Sequence, residues 1–353
     1  MTSPLPRLSL AMDPERTQHV LTPQAVERLS QSVDIIDISR IRDFHDPSVK
    51  DQLERTDILL TGWCCPDIGA RELALMPRLK LISHAAGTVK YFLSQAVFEH
   101  GITVCSAAEA NAQPVAEFMQ AMILLAGKRV FSFRRLYGND RGRENVDRMQ
   151  SQAIGNLGLT VGVVGASRIG RRVINLLKPF DLDIILFDPF LSAAEAERLG
   201  VRPVTLDALM AISDVISLHA PSLPQTRHMI GAEALARMKD GATLINTARG
   251  ALVDEEALLA ELKTGRIEAV IDVTDPEVPP PDSAFYRLPN VFLTPPIAAA
   301  AGLDRARPGA MAIAEIARFC PGAALEHQVP PEHLARIACE FSSQAAAPCP
   351  PAP

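Results

Sequence analysis

Short apolar runs of strand length recur along the chain, separated by segments with helical spacing. In the first third they read LSLAM (8–12), VDIIDI (33–38), DILLT (57–61), LKLIS (79–83) and ITVC (102–105). Between them, stretches such as PQAVERLSQS space their apolar residues as one face of a helix requires. A second series begins at LTVGVVG (159–165) and continues through DIILFD (183–188), DVISLHA (214–220), ATLINT (242–247), EAVIDV (268–273) and NVFLT (290–294). Strands alternating with helices predict an α/β fold in which parallel sheets are covered on both faces. Between the two series, PVAEFMQAMILLAGKRVFSFRRL reads as one helix opening on Pro114, a position where the missing amide donor breaks no helical bond. The polar YGNDRGRENVDRMQSQ that follows has no clear period, and residues 342–353, SSQAAAPCPPAP, read as a disordered tail.

Composition narrows the function class. A chain of 353 residues, 48% hydrophobic and 22% charged, is that of a soluble globular protein with two cores. A formal net charge of −6 argues against nucleic acid, whose binders present a basic face. No apolar run is long enough to span a bilayer, and MTSPLPRLSLAMDPERTQ has too brief an apolar core for a secretory signal, so the expected location is the cytoplasm. The six cysteines include the adjacent pair Cys64 and Cys65 but no CxxC and no Cys/His spacing for zinc, which predicts reduced thiols and no metal.

VGVVGASRIGRRVINLLKPFDLDIILFDP is the most informative stretch. An apolar strand runs into Gly165, a tight turn follows, and a helix begins near Gly170 and ends at Pro179; a second strand then finishes in Asp188. This is the βαβ arrangement in which helix N-terminal amides hold a pyrophosphate and an acid accepts the adenosine ribose hydroxyls. Ser167 stands where a second glycine is usual. Asp188 would repel a 2′-phosphate, so the expected cofactor is NAD rather than NADP. Farther on, LINTARGALVDEEALLAEL ends a strand and places Arg249 at its carboxyl end, where such folds bind ligands. Its planar guanidinium suits a carboxylate or a ketone oxygen.

GASRIG, Asp188, SLHAPSLPQTRHMI, NTARG, DVTDPE and LPNVFLTP, in that order, resemble the D-isomer-specific 2-hydroxyacid dehydrogenases, and HAAGTV (84–89) and NAQPVAEF (111–118) fit the family's substrate loop and hinge. The resemblance covers nearly the whole chain. It implies two Rossmann-like or flavodoxin-like, doubly wound parallel-sheet domains with a cleft between them: a substrate domain of residues 1–112 completed by 300–335, around an NAD domain of 113–299. A homodimer is implied too, with the helix at Pro114 as hinge and part of its interface. Carried onto this sequence, amides around Gly87, Thr88 and Val89 would hold a substrate carboxylate, and Arg249 would bind it and polarise the 2-keto oxygen. Gly165, Ser167, Arg168, Ile169, Gly170, Asp188, His219, Thr247, Ala248 and Asp272 would line the cofactor. Glu277 would orient a catalytic histidine.

That histidine is absent. The family motif reads Thr-Pro-His where this chain reads Thr294-Pro295-Pro296. Proline neither accepts nor donates a proton. The candidates for a substitute are Glu277, directly or through water, and His84 ahead of the substrate loop, whose plainer reading is a strand-end histidine bonded to backbone. His219 in SLHAP reads as structural, and Lys90 as a solvated charge. Two functions follow: an NAD-dependent oxidoreductase of 2-hydroxy or 2-keto acids with an altered proton donor, or an NAD-binding protein that senses the cofactor or a partner without turnover.

Overall fold

Each apolar run becomes a parallel strand in the computed structural model, which describes residues 4–332. The described residues divide into two units, 4–112 together with 300–332, and Gln113–Ala299.

In the first unit, β1 (Arg7–Ala11), β2 (Asp34–Ile41), β3 (Ile58–Thr61), β4 (Leu81–His84) and β5 (Thr103–Ser106) lie in the order β2-β1-β3-β4-β5. Alternate side chains of one strand feed opposite faces, so the sheet carries two apolar cores. One includes Leu59, Ile82, Val89 and Val104, the other Leu8, Leu60, Leu81 and Ile316. The second core is closed by the helix Ala306–Phe319, which buries Ala312, Ile313 and Ile316. Ser83 Oγ donates to the Ala312 carbonyl at 2.9 Å. Glu315, buried on that helix, pairs with Arg318 and accepts the amides of Glu326 and His327 at 3.1 Å each, which fastens the returning chain.

In the second unit, β6 (Leu159–Val164), β7 (Leu182–Phe187), β8 (Arg202–Pro203), β9 (Val215–Leu218), β10 (Thr243–Asn246), β11 (Glu268–Ile271) and β12 (Val291–Leu293) lie in the order β12-β11-β10-β9-β6-β7-β8. The order reverses between β6 and β9. In an open parallel sheet the crevice beyond the carboxyl ends of such a pair is where ligands bind. The helix Arg168–Leu177 buries Val173, Ile174 and Leu177 against the core. At roughly 1.5–3 kcal/mol per buried aliphatic side chain, this outweighs propensity.

Three expectations are corrected. The helix expected to open at Pro114 starts earlier, as Ala108–Gly127 with Pro114 inside it, and the division between units falls within it. Its first turn is secured by Ser106 Oγ, which accepts the Ala108 amide at 3.2 Å. It stops at Gly127, where a Cβ would meet Leu159 at 2.7 Å, and Arg129 takes a left-handed φ of 54° before a separate helix, Val130–Asp140. The polar stretch after it holds a short helix, Glu144–Gln150, with no buried residue. The exposed ion pairs Arg143–Asp147 and Arg148–Glu144, each four residues apart, add about 0.2–0.5 kcal/mol apiece. Cys64 is disulfide-bonded rather than reduced, while Cys65, Cys105 and Cys320 are free thiols. No described helix is long and apolar enough to cross a membrane. The expected tail at 342–353 lies outside the described residues.

Candidate active site

At the β6–β9 reversal, Gly165 follows β6 with φ +102°, and a Cβ there would lie 2.7 Å from the Ala220 amide nitrogen. Only glycine gives both that conformation and that approach. A Cβ on Gly170 would collide with the Gly165 carbonyl oxygen, so the helix can come this close to the turn only with glycine at that place. Ser167 has its own role in place of the usual glycine. It caps the helix, its Oγ accepting the Gly170 amide at 3.3 Å. Arg168, the first helical residue, is exposed, and Ile169 packs on the core. Asp188 follows β7 and is fixed by two amides: Oδ2 accepts from Ala166 at 2.7 Å and Oδ1 from Phe190 at 2.8 Å. A tight glycine turn, a ten-residue helix N-terminus and a carboxylate tied to the turn fit the pyrophosphate and ribose of a dinucleotide.

His219 follows β9 and is buried, with Nε2 2.6 Å from Ser217 Oγ. Burial pulls its pKa down to about 3, so the ring is neutral and structural. Thr247, after β10, is buried with its hydroxyl 3.1 Å from Met119 Sδ.

The strand end that carries Arg249 is braced from within. Asn246 donates from Nδ2 to the Arg249 carbonyl at 2.8 Å and accepts the Ala248 amide on Oδ1 at 3.1 Å. The half-buried Arg249 donates from Nη1 to the Ala248 carbonyl at 2.6 Å. Next to it, Gly250 lies flat on the turn after β11; a Cβ there would collide with the Thr274–Asp275 peptide. Behind that peptide, Glu255 Oε1 accepts the Asp275 amide at 2.8 Å. Burial, with Asp275 alongside, raises the Glu255 carboxyl to about 7 although that amide opposes the shift. Arg227 pairs with Asp275 at 3.3 Å. Glu277 is exposed, and its carbonyl accepts the Thr274 hydroxyl at 2.9 Å.

Asp272, buried at the end of β11, organises the turn that contains Pro296. Its Oδ1 accepts the Thr294 hydroxyl at 2.8 Å and the Ile297 amide at 3.0 Å, and its Oδ2 accepts the Ala298 amide at 3.1 Å. Pro295 and Pro296 are exposed.

Gly87, Thr88 and Val89 lie in the first unit, in the loop after β4. Ser106 Oγ donates to the Gly87 carbonyl, Thr88 Oγ1 accepts the Lys90 amide at 3.3 Å, and the Val89 carbonyl accepts the Leu93 amide at 3.1 Å. A Cβ on Gly87 would come within 3.3 Å of Asn111 Nδ2. His84 is buried with Nδ1 2.9 Å from Thr61 Oγ1, and burial pulls its pKa down to about 3 against a hydrogen bond to the Thr88 backbone. A ring held neutral in this way is not a proton donor near pH 7. The expected residues thus fall into three groups, the dinucleotide turn, the Arg249 and Thr274–Glu277 strand ends, and the first unit's loop. Asn246, Glu255, Thr61 and Ser106 support them and were not expected. Their only signal is a polar residue at or just beyond an apolar run.

Residues 120–298 match the family model described as D-isomer specific 2-hydroxyacid dehydrogenase, NAD binding domain. The chain is 32% identical over 263 residues to the D-3-phosphoglycerate dehydrogenase of Archaeoglobus fulgidus, covering 74% of this chain and 49% of that protein. The chain thus spans about half the length of the first curated relatives it matches. It is 32% identical over 308 residues to the glyoxylate reductase of Korarchaeum cryptofilum, covering 86% of this chain and 91% of that protein. Among solved structures, a protein of Thermus thermophilus is 28% identical with a TM-score of 0.73, covering 92% of this chain and all of that one. With the glycine turn, Asp188 and the Arg249 strand end all inside or beside the matched segment, the chain belongs to the D-isomer specific 2-hydroxyacid dehydrogenase family and carries its NAD-binding domain.

Proposed function

We propose that this protein is an NAD-dependent oxidoreductase that interconverts 2-hydroxy and 2-keto acids, with Pro296 where the family has its catalytic histidine. The observation that carries the reading is Arg249 braced at the carboxyl end of β10, in the same unit as a turn that fits a dinucleotide. Bound NAD supplies or removes the hydride. The chain's own groups do the rest: Asp188 receives the ribose hydroxyls, and the amides of Gly87–Val89 hold the substrate carboxylate. Arg249 binds a substrate carboxylate and polarises the 2-keto oxygen. Glu277, through a water, is the proton partner in place of an imidazole. Glyoxylate, as acceptor of hydride from NADH, and D-3-phosphoglycerate, as hydride donor to NAD in the reverse assay, are named by the relatives' activities and come first as test substrates. The reading includes a cytoplasmic homodimer.

Pro296 favours a second reading, an NAD-binding protein without turnover that senses the cofactor or a partner. Stopped-flow NADH oxidation over a panel of 2-keto acids separates the two. Turnover that is lost in Arg249→Ala supports the enzyme. Tight NADH binding with no turnover on any acid supports the sensor.

A further inference from the structure

The two side chains proposed to act on the substrate, Arg249 and Glu277, come from different turns, one after β10 and one after β11. Their strands pair in register, Asn246 opposite Ile271, so the two turns leave the sheet side by side. A guanidinium and a carboxyl serve one keto acid only if those turns keep a fixed relation, because a misplacement of about 1 Å can cost on the order of a hundredfold in rate. Three contacts hold the turns. Gly250, the residue after Arg249, lies so close to the Thr274–Asp275 peptide that a Cβ would collide with it. Arg227, from the segment after β9, pairs with the Asp275 carboxylate at 3.3 Å. Glu255 Oε1 accepts the N–H of the same peptide, the Asp275 amide, at 2.8 Å. Toward Glu277, the Thr274 hydroxyl donates to the Glu277 carbonyl at 2.9 Å and closes the turn.

Of the three, the Glu255 bond has the firmest base. Gly250 offers van der Waals contact alone, and the Arg227–Asp275 pair is partly exposed on both sides, where ion pairs add little. Glu255 is the first residue of the helix Glu255–Thr264, which buries Leu258 and Leu262 and is N-capped by Asp254. Asp254 is tied in turn: its amide donates to the Ile230 carbonyl at 3.0 Å, and its Oδ1 accepts the Ala257 amide at 3.1 Å. The Glu255 carboxyl thus reaches from an anchored helix to a peptide that lies outside the strands. An acid in a first turn also complements the helix dipole, but that role needs no contact with Asp275. The exposed Glu256 beside it fills it equally well.

We propose that Glu255 is a positioning residue: its carboxyl, held by the helix, fixes the Thr274–Asp275 peptide against Gly250 and so sets Arg249 and Glu277 relative to one another. The proposal rests on reading Arg249 as the group that binds the substrate carboxylate.

Oxalate, an unreactive mimic of a 2-keto acid, is titrated into the protein–NADH complex by fluorescence. Wild-type binding that is lost in Arg249→Ala upholds the role of Arg249. A wild type that binds NADH but not oxalate, or oxalate binding that survives Arg249→Ala, removes that role, and the proposal falls with it. Against this baseline, Glu255→Ala is expected to weaken oxalate about tenfold, the scale of one hydrogen bond. NADH affinity stays unchanged. Glu255→Gln keeps an acceptor oxygen for the Asp275 amide and recovers most of the loss. Asp254→Ala removes the cap of the same helix and leaves the Asp275 bond in place. It is expected to lower the melting temperature without weakening oxalate. A well-folded Glu255→Ala that binds oxalate as the wild type does overturns the proposal with the role of Arg249 intact. So does an Asp254→Ala that weakens oxalate as much as Glu255→Ala, since the effect then belongs to the helix rather than to the bond. Should Glu255→Ala not fold, Glu255→Asp, one methylene too short to reach the amide, is held to the same outcomes.

Discussion

Asp272 accepts the amide of Ile297 on Oδ1 at 3.0 Å, one residue beyond Pro296. The same carboxylate takes the Thr294 hydroxyl and the Ala298 amide. The contacts skip residue 296, so a residue without an amide donor fits the turn. They also make the turn depend on one buried side chain. Asp272→Ala is expected to destabilise the protein by about 2–4 kcal/mol, since bonds to a charged acceptor are lost and buried amides left without a partner. Asp272→Asn, which keeps one acceptor oxygen, is expected to lose less. Thermal denaturation of both variants checks the order.

Asp188 is the residue proposed to set cofactor choice. Its oxygens are oriented by Ala166 and Phe190 amides, which hold a negative charge beside the turn expected to carry the ribose. NADH is expected to bind at least tenfold more tightly than NADPH, a difference of about 1.4 kcal/mol. Asp188→Ala is expected to narrow the gap chiefly by improving NADPH. Fluorescence titration reads both affinities, and equal binding by the wild type removes Asp188 from this role.

Gly250 and the Thr274–Asp275 peptide are in direct contact, which ties the Arg249 strand end to the turn that leads to Glu277. Glu255 backs that peptide, and burial raises its carboxyl from 4.5 to about 7. The folded protein therefore holds a proton there that the unfolded chain has released, and stability falls as pH rises from 4.5 through 7. Glu255→Gln keeps an acceptor for the Asp275 amide without the charge. It is expected to raise stability at pH 8 by roughly 1 kcal/mol, after discounting for solvent screening, and to change little at pH 5. Melting curves at the two pH values check this.

His84 and His219 give the opposite slope. Burial lowers both from 6.5 to about 3, so between those values the unfolded chain binds protons that the folded protein does not. The stability of the neutral rings is complete above pH 6.5 and is lost as pH falls toward 3. The melting temperature is expected to drop between pH 7 and pH 5, and His84→Gln to flatten that drop by about one proton's share. An unchanged slope in His84→Gln contradicts the buried neutral ring.

Much of this was legible before the structure because it depends on local pattern. Most of the eleven apolar runs mark strands because they are buried on both faces of a parallel sheet, whereas β2 and β12 at the sheet edges are largely exposed or half-buried, and GASRIG with Asp188 marks the glycine turn by spacing alone. β8 could not be read: it is two residues long and includes Pro203. The start of the long helix was misread because Pro114 resembles a first-turn proline, whereas Ser106 secures a start at Ala108. Asn246 and Glu255 escaped notice for a different reason. Their roles depend on which strand ends become neighbours, and only the order β11-β10-β9-β6 supplies that. Pro296, by contrast, is visible at once after Thr294-Pro295.

That proline gives the sharpest test. The Asp272 bonds to Thr294, Ile297 and Ala298 do not involve residue 296, so Pro296→His leaves the scaffold of the turn intact. If the site otherwise retains Arg249 and Glu277 in working positions, the new imidazole restores a group able to give and take the substrate proton. Wild-type turnover on glyoxylate or pyruvate is expected to be slow or absent with normal NADH binding. Pro296→His is expected to raise kcat by up to ~10²–10⁴, the range general acid–base catalysis supplies. A smaller gain follows if a turn adapted to proline holds the ring out of line. Adding Glu277→Gln to Pro296→His is expected to cancel most of the gain, since the ring then lacks its carboxylate partner. Two results would sink this account: a wild type that turns over rapidly despite Glu277→Gln, and a Pro296→His variant that binds NADH normally yet gains nothing on any 2-keto acid.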